Sequence, residues 1–262
     1  MTDLADLLAD LAAEGAALDA LVAGLPDDDW ARPTPAVPWT IAHQIAHLAW
    51  TDAQAERAAV DPDGFAAEAK RFHELGSRFV DEAAEAGASE PPRDLLARWR
   101  AARSGLAVAL AALPDGVKMP WFGPPMKPTT MATSRLMETW AHGQDVADAL
   151  GVRRKPTSRL KAVAFLGVRT FGYAFTVRGL DAPAVGLRAE LRAPDGSLWV
   201  LGPDDTDQVV RGSAEDFCLL VTRRRHPDDL DLTAQGSVAA EWLTLAQAFA
   251  GPPGEDRRPD GP

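Results

Sequence analysis

A carboxylate and an imidazole stand four residues apart in the stretch 131–145, whose pattern predicts a helix. Positions i and i+4 of a helix share one face, so Glu138 and His142 can reach a single cation. Zinc accepts such oxygen and nitrogen ligands at about 2.0–2.2 Å. An isolated pair of this kind is more often a hydrogen-bonded pair on a solvated surface, so the metal hypothesis needs a third ligand from a second element. Asp145 lies three residues after His142, close to the helix face that Glu138 and His142 share.

A second predicted helix begins after Thr40 and carries His43 and His47, again four residues apart. The intervening glutamate of the metalloprotease motif is missing. A core imidazole satisfied by a backbone carbonyl explains His43 well. His47 lies nearer the middle of the helix, where burial of an unpaired imidazole would be costly. We therefore predict that His47 completes the site with Glu138 and His142.

The spacing of apolar residues divides the chain into two halves. The first 150 residues hold amphipathic helices that indicate an antiparallel bundle, at about 4–25, 41–53, 65–83, 95–113 and 131–150. The stretch 27–38, rich in Asp and Pro, is interpreted as a rigid linker without secondary structure. We expect a helical domain over 1–152, an α+β domain over 156–252 and a disordered tail over 253–262.

The second half mixes helices and strands. A helix at about 158–177 leads to a hairpin around Pro194-Asp195-Gly196, and a strand follows at 209–210. Ser213 begins a helix, with Asp216 three residues later as in a capping box. A last strand at 230–234 and a final helix at 237–249 complete the prediction.

Composition narrows the function classes. The formal net charge of -11 argues against nucleic acid or an anionic membrane as the main partner. No stretch approaches 18 uncharged apolar residues, and the acidic N-terminal residues do not resemble a secretory signal. The single cysteine, Cys218, cannot form an internal disulfide and is expected in the core. We predict a cytoplasmic location.

Two motifs carry a resemblance to a known family. A-H-Q-I-A-H-L-A-W at 42–50 and E-T-W-A-H-G-Q-D-V-A-D-A-L-G at 138–151 resemble the DinB-like metal-binding superfamily. More narrowly, they resemble the mycothiol-dependent maleylpyruvate isomerase family, in a subgroup known only as metal-binding proteins. The stretches 210–214 and 242–243 are similar to that family's sterol-carrier-like domain. The resemblance implies an α+β protein in which a DinB-like four-helix bundle precedes a sterol-carrier-like α+β domain.

The resemblance also implies a site. One divalent metal, usually zinc, would be held by His47, Glu138 and His142, and water or a thiol would take the open position. Asp145 would then orient a ligand or handle a proton. The family places an arginine of the second domain near the substrate carboxylates. Arg225 aligns best with it, although three arginines in a row (Arg223, Arg224 and Arg225) leave open which one serves, and cations also suit a solvated helix C-terminus.

Two classes of function follow from these observations. The first is a metal-dependent transferase or isomerase that uses a small thiol, mycothiol if the resemblance holds, and a small electrophilic, carboxylate-bearing substrate. The second is a non-catalytic protein that binds a metal or an apolar ligand, and the scaffold could also serve another metal-assisted reaction of secondary metabolism. In each case we expect a monomer or homodimer without a nucleic-acid or membrane partner.

Overall fold

The computed structural model describes residues 3–114, 116–252 and 259, except for the side chain of Ser77. The chain divides into two compact units, Met1–Arg154 and Lys155–Pro262. Apart from Pro259, the predicted tail at 253–262 lies outside the described residues. Within the described part of the chain, no helix combines the length and apolar character needed to cross a membrane.

The first unit contains six α-helices: α1 (Leu4–Val22), α2 (Ile41–Val60), α3 (Pro62–Leu75), α4 (Ser77–Ala88), α5 (Pro92–Ala112) and α6 (Pro128–Leu150). Helices α1, α2, α5 and α6 form the predicted four-helix bundle, in which α2 contacts α5 and α6 while α1 contacts the same two helices. Helices α3 and α4 pack onto the outside of α2. The predicted α+β fold with an N-terminal bundle is therefore confirmed.

The core of the bundle explains where the helices lie. Fully buried aliphatic and aromatic side chains of four helices meet in one cluster, which includes Leu18, Ile41, Ile45, Leu48, Leu95, Trp99 and Val146. Burial of each such side chain contributes about 1.5–3 kcal/mol. The stripe of α2 that faces this cluster is the apolar stripe visible in the sequence.

Glycines set two helix boundaries. Gly151 ends α6 in the left-handed conformation, with φ of 67°. Gly76 has φ of 61° and ψ of -140°, a backbone conformation that an L side chain rarely adopts. The single helix predicted over 65–83 is therefore wrong, because the chain breaks at Gly76 into α3 and α4.

The segment between α1 and α2 has more structure than the sequence indicates. A 3-10 helix covers Asp27–Ala31, and Pro33 pairs with Thr40 in an isolated antiparallel bridge. The interpretation of this segment as a linker without secondary structure is thus wrong. The bridge folds the chain back on itself, and it brings Thr34 and Trp39 against the start of α2.

The second unit is built around a four-stranded sheet. Its elements are α7 (Leu160–Arg169), α8 (Phe171–Thr176), β1 (Arg188–Arg192), β2 (Leu198–Leu201), β3 (Val209–Ser213), α9 (Ala214–Val221), β4 (Leu232–Gln235) and α10 (Ser237–Leu245). The strand order is β2-β1-β3-β4, with β1 and β3 parallel and both outer pairs antiparallel. The predicted hairpin is confirmed as β1–β2, and α7, α9 and α10 pack against the sheet.

Three local predictions in this unit can be checked. Ser213 caps α9 as predicted, because its hydroxyl accepts a hydrogen bond from the amide of Asp216 at 2.9 Å. Cys218 is fully buried, as predicted, and burial raises the pKa of its thiol well above the ordinary value. The single helix at 158–177 is wrong, because the chain breaks at Thr170, whose hydroxyl donates to the Leu166 carbonyl one turn earlier.

Candidate metal centre

Helices α2 and α6 bring three ligand-type side chains together inside the first unit. One nitrogen or oxygen atom from each of His47, Glu138 and His142 lies within 4.8 Å of the other two. Oε2 of Glu138 is 3.1 Å from Nε2 of His142 and 3.7 Å from Nε2 of His47. The three side chains are only 11%, 22% and 10% exposed, respectively. The sequence prediction named the same three residues.

These distances fit a single divalent ion. Ligands held about 2.1 Å from a tetrahedral zinc lie about 3.4 Å apart, and the separations of Glu138 from the two histidines, 3.1 and 3.7 Å, fall on either side of that value. Two nitrogens and one oxygen form a donor set that zinc accepts, and three protein ligands leave a fourth position open. The described residues therefore fit the metal that the sequence predicts.

The carboxylate is held in its charged form. Burial raises the pKa of Glu138, but contacts with His142 and His47 and the positive charge of Arg135 outweigh burial, and the pKa lies well below the usual range. Glu138 is therefore an anion at neutral pH. A partly buried anion between two imidazoles favours a cation as a third partner.

A buried polar chain supports His142 from the side opposite Glu138. The Nδ1 atom of His142 is 2.5 Å from Oε1 of Gln44, and the amide nitrogen of Gln44 is 2.9 Å from the hydroxyl of Thr34. This hydroxyl is in turn 2.7 Å from the backbone carbonyl of Trp39. Gln44 is 0% exposed and Thr34 is 3% exposed, so this chain excludes solvent from the back of His142.

The indole of Trp39 forms a wall of the same cluster. Its ring stacks on His142 with centroids 5.9 Å apart and an interplanar angle of 23°, and it lies 5.2 Å from the ring of His47. The sequence prediction missed Gln44, Thr34 and Trp39. An aromatic residue directly before a helix N-cap was a usable signal for Trp39. No local pattern marked the other two.

A buried ion pair lies beyond Glu138. Nε of Arg135 donates to Oδ1 of Asp52 at 2.8 Å, and both side chains are 3% exposed. Arg135 precedes Glu138 by one helical turn on α6, and Asp52 follows His47 by five residues on α2. The pair extends the polar strip that the two helices bury between them.

Comparisons with known proteins identify the family. A family model described as the mycothiol maleylpyruvate isomerase N-terminal domain matches residues 11–147, just over half of the chain and almost all of the bundle. The chain belongs to the mycothiol maleylpyruvate isomerase family. The matched region includes all three candidate ligands, so the resemblance that the sequence motifs indicated is confirmed.

Relatives of this family extend the comparison beyond the bundle. Two proteins of Mycobacterium tuberculosis, from strains CDC 1551 / Oshkosh and H37Rv, are each 56% identical over 257 residues, which is 98% of this chain and 100% of each relative; both are described as uncharacterized. The crystal structure of the mycothiol-dependent maleylpyruvate isomerase is 16% identical, with a TM-score of 0.60, and covers 85% of this chain and 90% of its own. A mutant of the same isomerase gives a TM-score of 0.59 over the same shares. These two structures share the fold.

The other residues of α2 and α6 that the sequence singled out lie outside the ligand cluster. His43 completes a capping box at the start of α2: its Nδ1 accepts from the amide of Thr40 at 3.3 Å, and its Nε2 is 2.8 Å from Oε2 of Glu85. The interpretation of His43 as a core imidazole satisfied by a backbone carbonyl is therefore wrong, because both ring nitrogens have other partners. Asp145 is fully buried on α6, three residues after His142, and its role stays a prediction.

The three consecutive arginines follow α9 in the second unit. Arg223 has φ of 58° in the turn that ends the helix, where the amide of Arg224 donates to the Leu219 carbonyl. Arg223 and Arg225 line one shallow depression together with His226, whereas Arg224 does not line it. The structure therefore separates Arg224 from the other two, and the predicted contact of Arg225 with a substrate stays a prediction.

Proposed function

We propose that the protein is a divalent-metal- and mycothiol-dependent isomerase or S-transferase that acts on a small electrophilic substrate bearing a carboxylate. The observation that carries the proposal is the largely buried cluster of His47, Glu138 and His142, whose ligand atoms lie within 4.8 Å of one another. Membership of the mycothiol maleylpyruvate isomerase family supports the choice of mycothiol as the thiol. We propose zinc as the ion, since its preferred donors match this set.

The metal would be held by Nε2 of His47, Nε2 of His142 and a carboxylate oxygen of Glu138. A divalent cation at such a site supplies one kind of chemistry here, the deprotonation of a thiol at neutral pH in the open position. With a divalent cation held by two neutral imidazoles and one carboxylate, the site would keep a net positive charge, which favours an incoming thiolate. Glu138 can serve in this way because it is ionised at neutral pH.

Two further residues have proposed roles. Asp145 is fully buried one turn after His142 and is the candidate for accepting or returning the proton that the thiol and the substrate exchange. Arg225 is the candidate partner for the substrate carboxylate, and a charge-assisted hydrogen bond of this kind contributes about 1.5–3 kcal/mol. Cys218 is not a candidate nucleophile, because its thiol is buried and its pKa is raised. A cytoplasmic location and a monomeric or homodimeric state belong to the same proposal.

The metal content of purified protein tests the site. We expect the parent protein to hold one divalent ion per chain and His142→Ala to lose it while keeping the helical circular dichroism. Two histidines outside the cluster provide matched controls, and His43→Ala and His73→Ala should both keep the ion because neither belongs to the cluster. Full metal retention in His142→Ala would contradict the proposed site.

Turnover tests the reaction. We would assay the metal-loaded protein against maleylpyruvate and similar unsaturated acids, with and without mycothiol. Loss of the Arg225 contact should reduce kcat/KM about ten- to a hundred-fold, whereas Arg224→Ala, which changes a residue outside the depression, should have little effect. A protein that binds the metal but turns over none of these acids with the thiol would instead support the non-catalytic binding function.

A further inference from the structure

The buried chain behind His142 determines which nitrogen of that imidazole carries a proton. The hydroxyl of Thr34 lies 2.7 Å from the carbonyl oxygen of Trp39. A carbonyl has no proton to give, so the Thr34 hydroxyl must donate its only proton to Trp39. The same hydroxyl can then only accept from Gln44, 2.9 Å away.

This direction continues to the imidazole. Because Thr34 accepts, the group of Gln44 that faces it is the NH2, and the group that faces His142 is the amide oxygen. An amide oxygen can only accept, so the partner 2.5 Å away, Nδ1 of His142, must be the donor. The neutral ring then has its lone pair on Nε2, the atom that lies 3.1 Å from Glu138.

We propose that Gln44 is a positioning residue for the metal centre, which fixes the tautomer and the ring orientation of His142, and that Thr34 fixes the orientation of the Gln44 amide. The proposal rests on the metal site described above and adds the reason why Nε2 of His142 is available to an ion. His47 has no equivalent support: its Nδ1 is buried without a hydrogen-bond partner among the described residues. The orienting contacts are therefore concentrated on one of the two histidines.

Outer contacts of this kind have a measurable effect. A hydrogen bond to the second nitrogen of a metal-bound histidine fixes the tautomer and raises the basicity of the ligand, and its loss typically weakens metal binding about 10- to 100-fold. Gln44 is 0% exposed, so water cannot replace it as the acceptor without rearrangement of the bundle. We therefore expect the full effect in this protein.

Zinc affinity, measured by competition with a chromophoric chelator, tests the proposal. Gln44→Met keeps the approximate side-chain length but removes the acceptor, and it should weaken zinc binding about 10- to 100-fold. Gln44→Glu restores an acceptor and should bind zinc as tightly as the parent or more tightly. Thr34→Val should weaken binding in the same direction as Gln44→Met, because the amide of Gln44 is then free to turn, and Thr34→Ser should restore it.

Gln54→Met is a matched control, since it makes the same substitution ten residues later on the same helix. The Oε1 atom of Gln54 has no hydrogen-bond partner among the described residues, so this variant should keep the parental affinity. Parental zinc affinity in Gln44→Met would overturn the proposal. Equal weakening in Gln44→Glu and Gln44→Met would also overturn it, because the acceptor would then be irrelevant.

A second measurement separates this proposal from the metal site itself. Long-range 1H–15N NMR of the imidazole rings reports which nitrogen is protonated, and it can be recorded on metal-free protein. We expect a protonated Nδ1 for His142 in the parent. An unprotonated Nδ1 would overturn the proposed role of Gln44 even if the protein binds zinc. A protonated Nδ1 in a parent protein that binds no metal would instead contradict the metal site, and the proposed contact of Gln44 with His142 would remain supported.

Discussion

The buried pair between Arg135 and Asp52 allows a stability prediction that the sequence alone would not support. Their atoms are 2.8 Å apart and both side chains are 3% exposed. Removal of one member of a buried ion pair typically costs about 3–5 kcal/mol, because the other charge is left without compensation. A domain is stable by about 5–15 kcal/mol, so either single substitution should remove a large share of the stability of the bundle.

The two single substitutions should differ in size. After Arg135→Met, Asp52 can take up a proton, and burial already raises the pKa of this carboxyl despite the nearby guanidinium. After Asp52→Ala, Arg135 keeps its charge, because a guanidinium is not deprotonated in proteins. We therefore expect Asp52→Ala to destabilise the protein by about 3–5 kcal/mol at pH 7 and Arg135→Met to destabilise it by less.

Thermal unfolding followed by far-ultraviolet circular dichroism measures this effect, since the helices of the bundle dominate the signal. A loss of about 3–5 kcal/mol corresponds to a fall in Tm of roughly 6–20 °C for a domain of this size. The pair Arg78–Glu82 is a matched control, because its side chains are 76% and 56% exposed. Glu82→Ala should change stability by no more than about 0.5 kcal/mol.

The pH dependence of Arg135→Met adds a test with a defined sign. Its unpaired Asp52 has a raised pKa in the folded state, so the folded state binds a proton more tightly than the unfolded chain does. The stability of this variant should therefore recover, relative to the parent, as pH falls from 7 toward 5. A Tm for Asp52→Ala within 2 °C of the parent, or a larger loss for Arg135→Met than for Asp52→Ala, would refute this account of the pair.

Three smaller effects follow from single contacts. Gly151→Ala should cost about 1–2 kcal/mol in urea unfolding because its φ is 67°, whereas Gly24→Ala, which has open space around it and no positive φ, should be neutral or slightly stabilising. Hydrogen bonding to Arg100 lowers the pKa of Asp19. The contact therefore stabilises the protein above about pH 4, and this stabilisation is lost as the pH falls through the pKa of Asp19 in the folded state. In Asp19→Asn, stability should consequently fall less steeply as the pH is lowered below about 4. Cys218 should react with iodoacetamide only when denaturant unfolds the protein, and rapid alkylation of native protein would contradict its burial.

The long helices could be predicted from the sequence because their apolar stripes and end signals agree. Thr40 and Gly151 mark helix ends in the sequence and hold those places in the structure. The breaks at Gly76 and Thr170 were not predicted, since the apolar pattern continues through both. Periodicity reports which face of a segment is buried, and it does not report a change in helix direction.

The candidate ligands were predictable for a different reason. Glu138 and His142 lie on one helix, where a spacing of four residues is sufficient to bring side chains together. Gln44 contacts His142 across 98 residues of sequence, so only the packing of α2 against α6 creates the contact. The choice of His47 over His43 depended on position within the helix, and the structure gives the physical reason, since the side chain of His43 is occupied by the cap at Thr40 and by Glu85.

The same packing explains why the middle of the α2–α6 interface is the place for an ion. Polar side chains pair across this interface in three layers: Gln44 with His142, His47 with Glu138, and Asp52 with Arg135. Residue numbers increase along α2 and decrease along α6 from one layer to the next, as expected for antiparallel helices. The first layer joins a donor to an acceptor and the third joins a cation to an anion. In the middle layer, an anionic carboxylate lies within reach of the Nε2 atoms of both imidazoles. Buried polar groups are costly to hold without partners, and one divalent cation satisfies the carboxylate and both imidazoles at once.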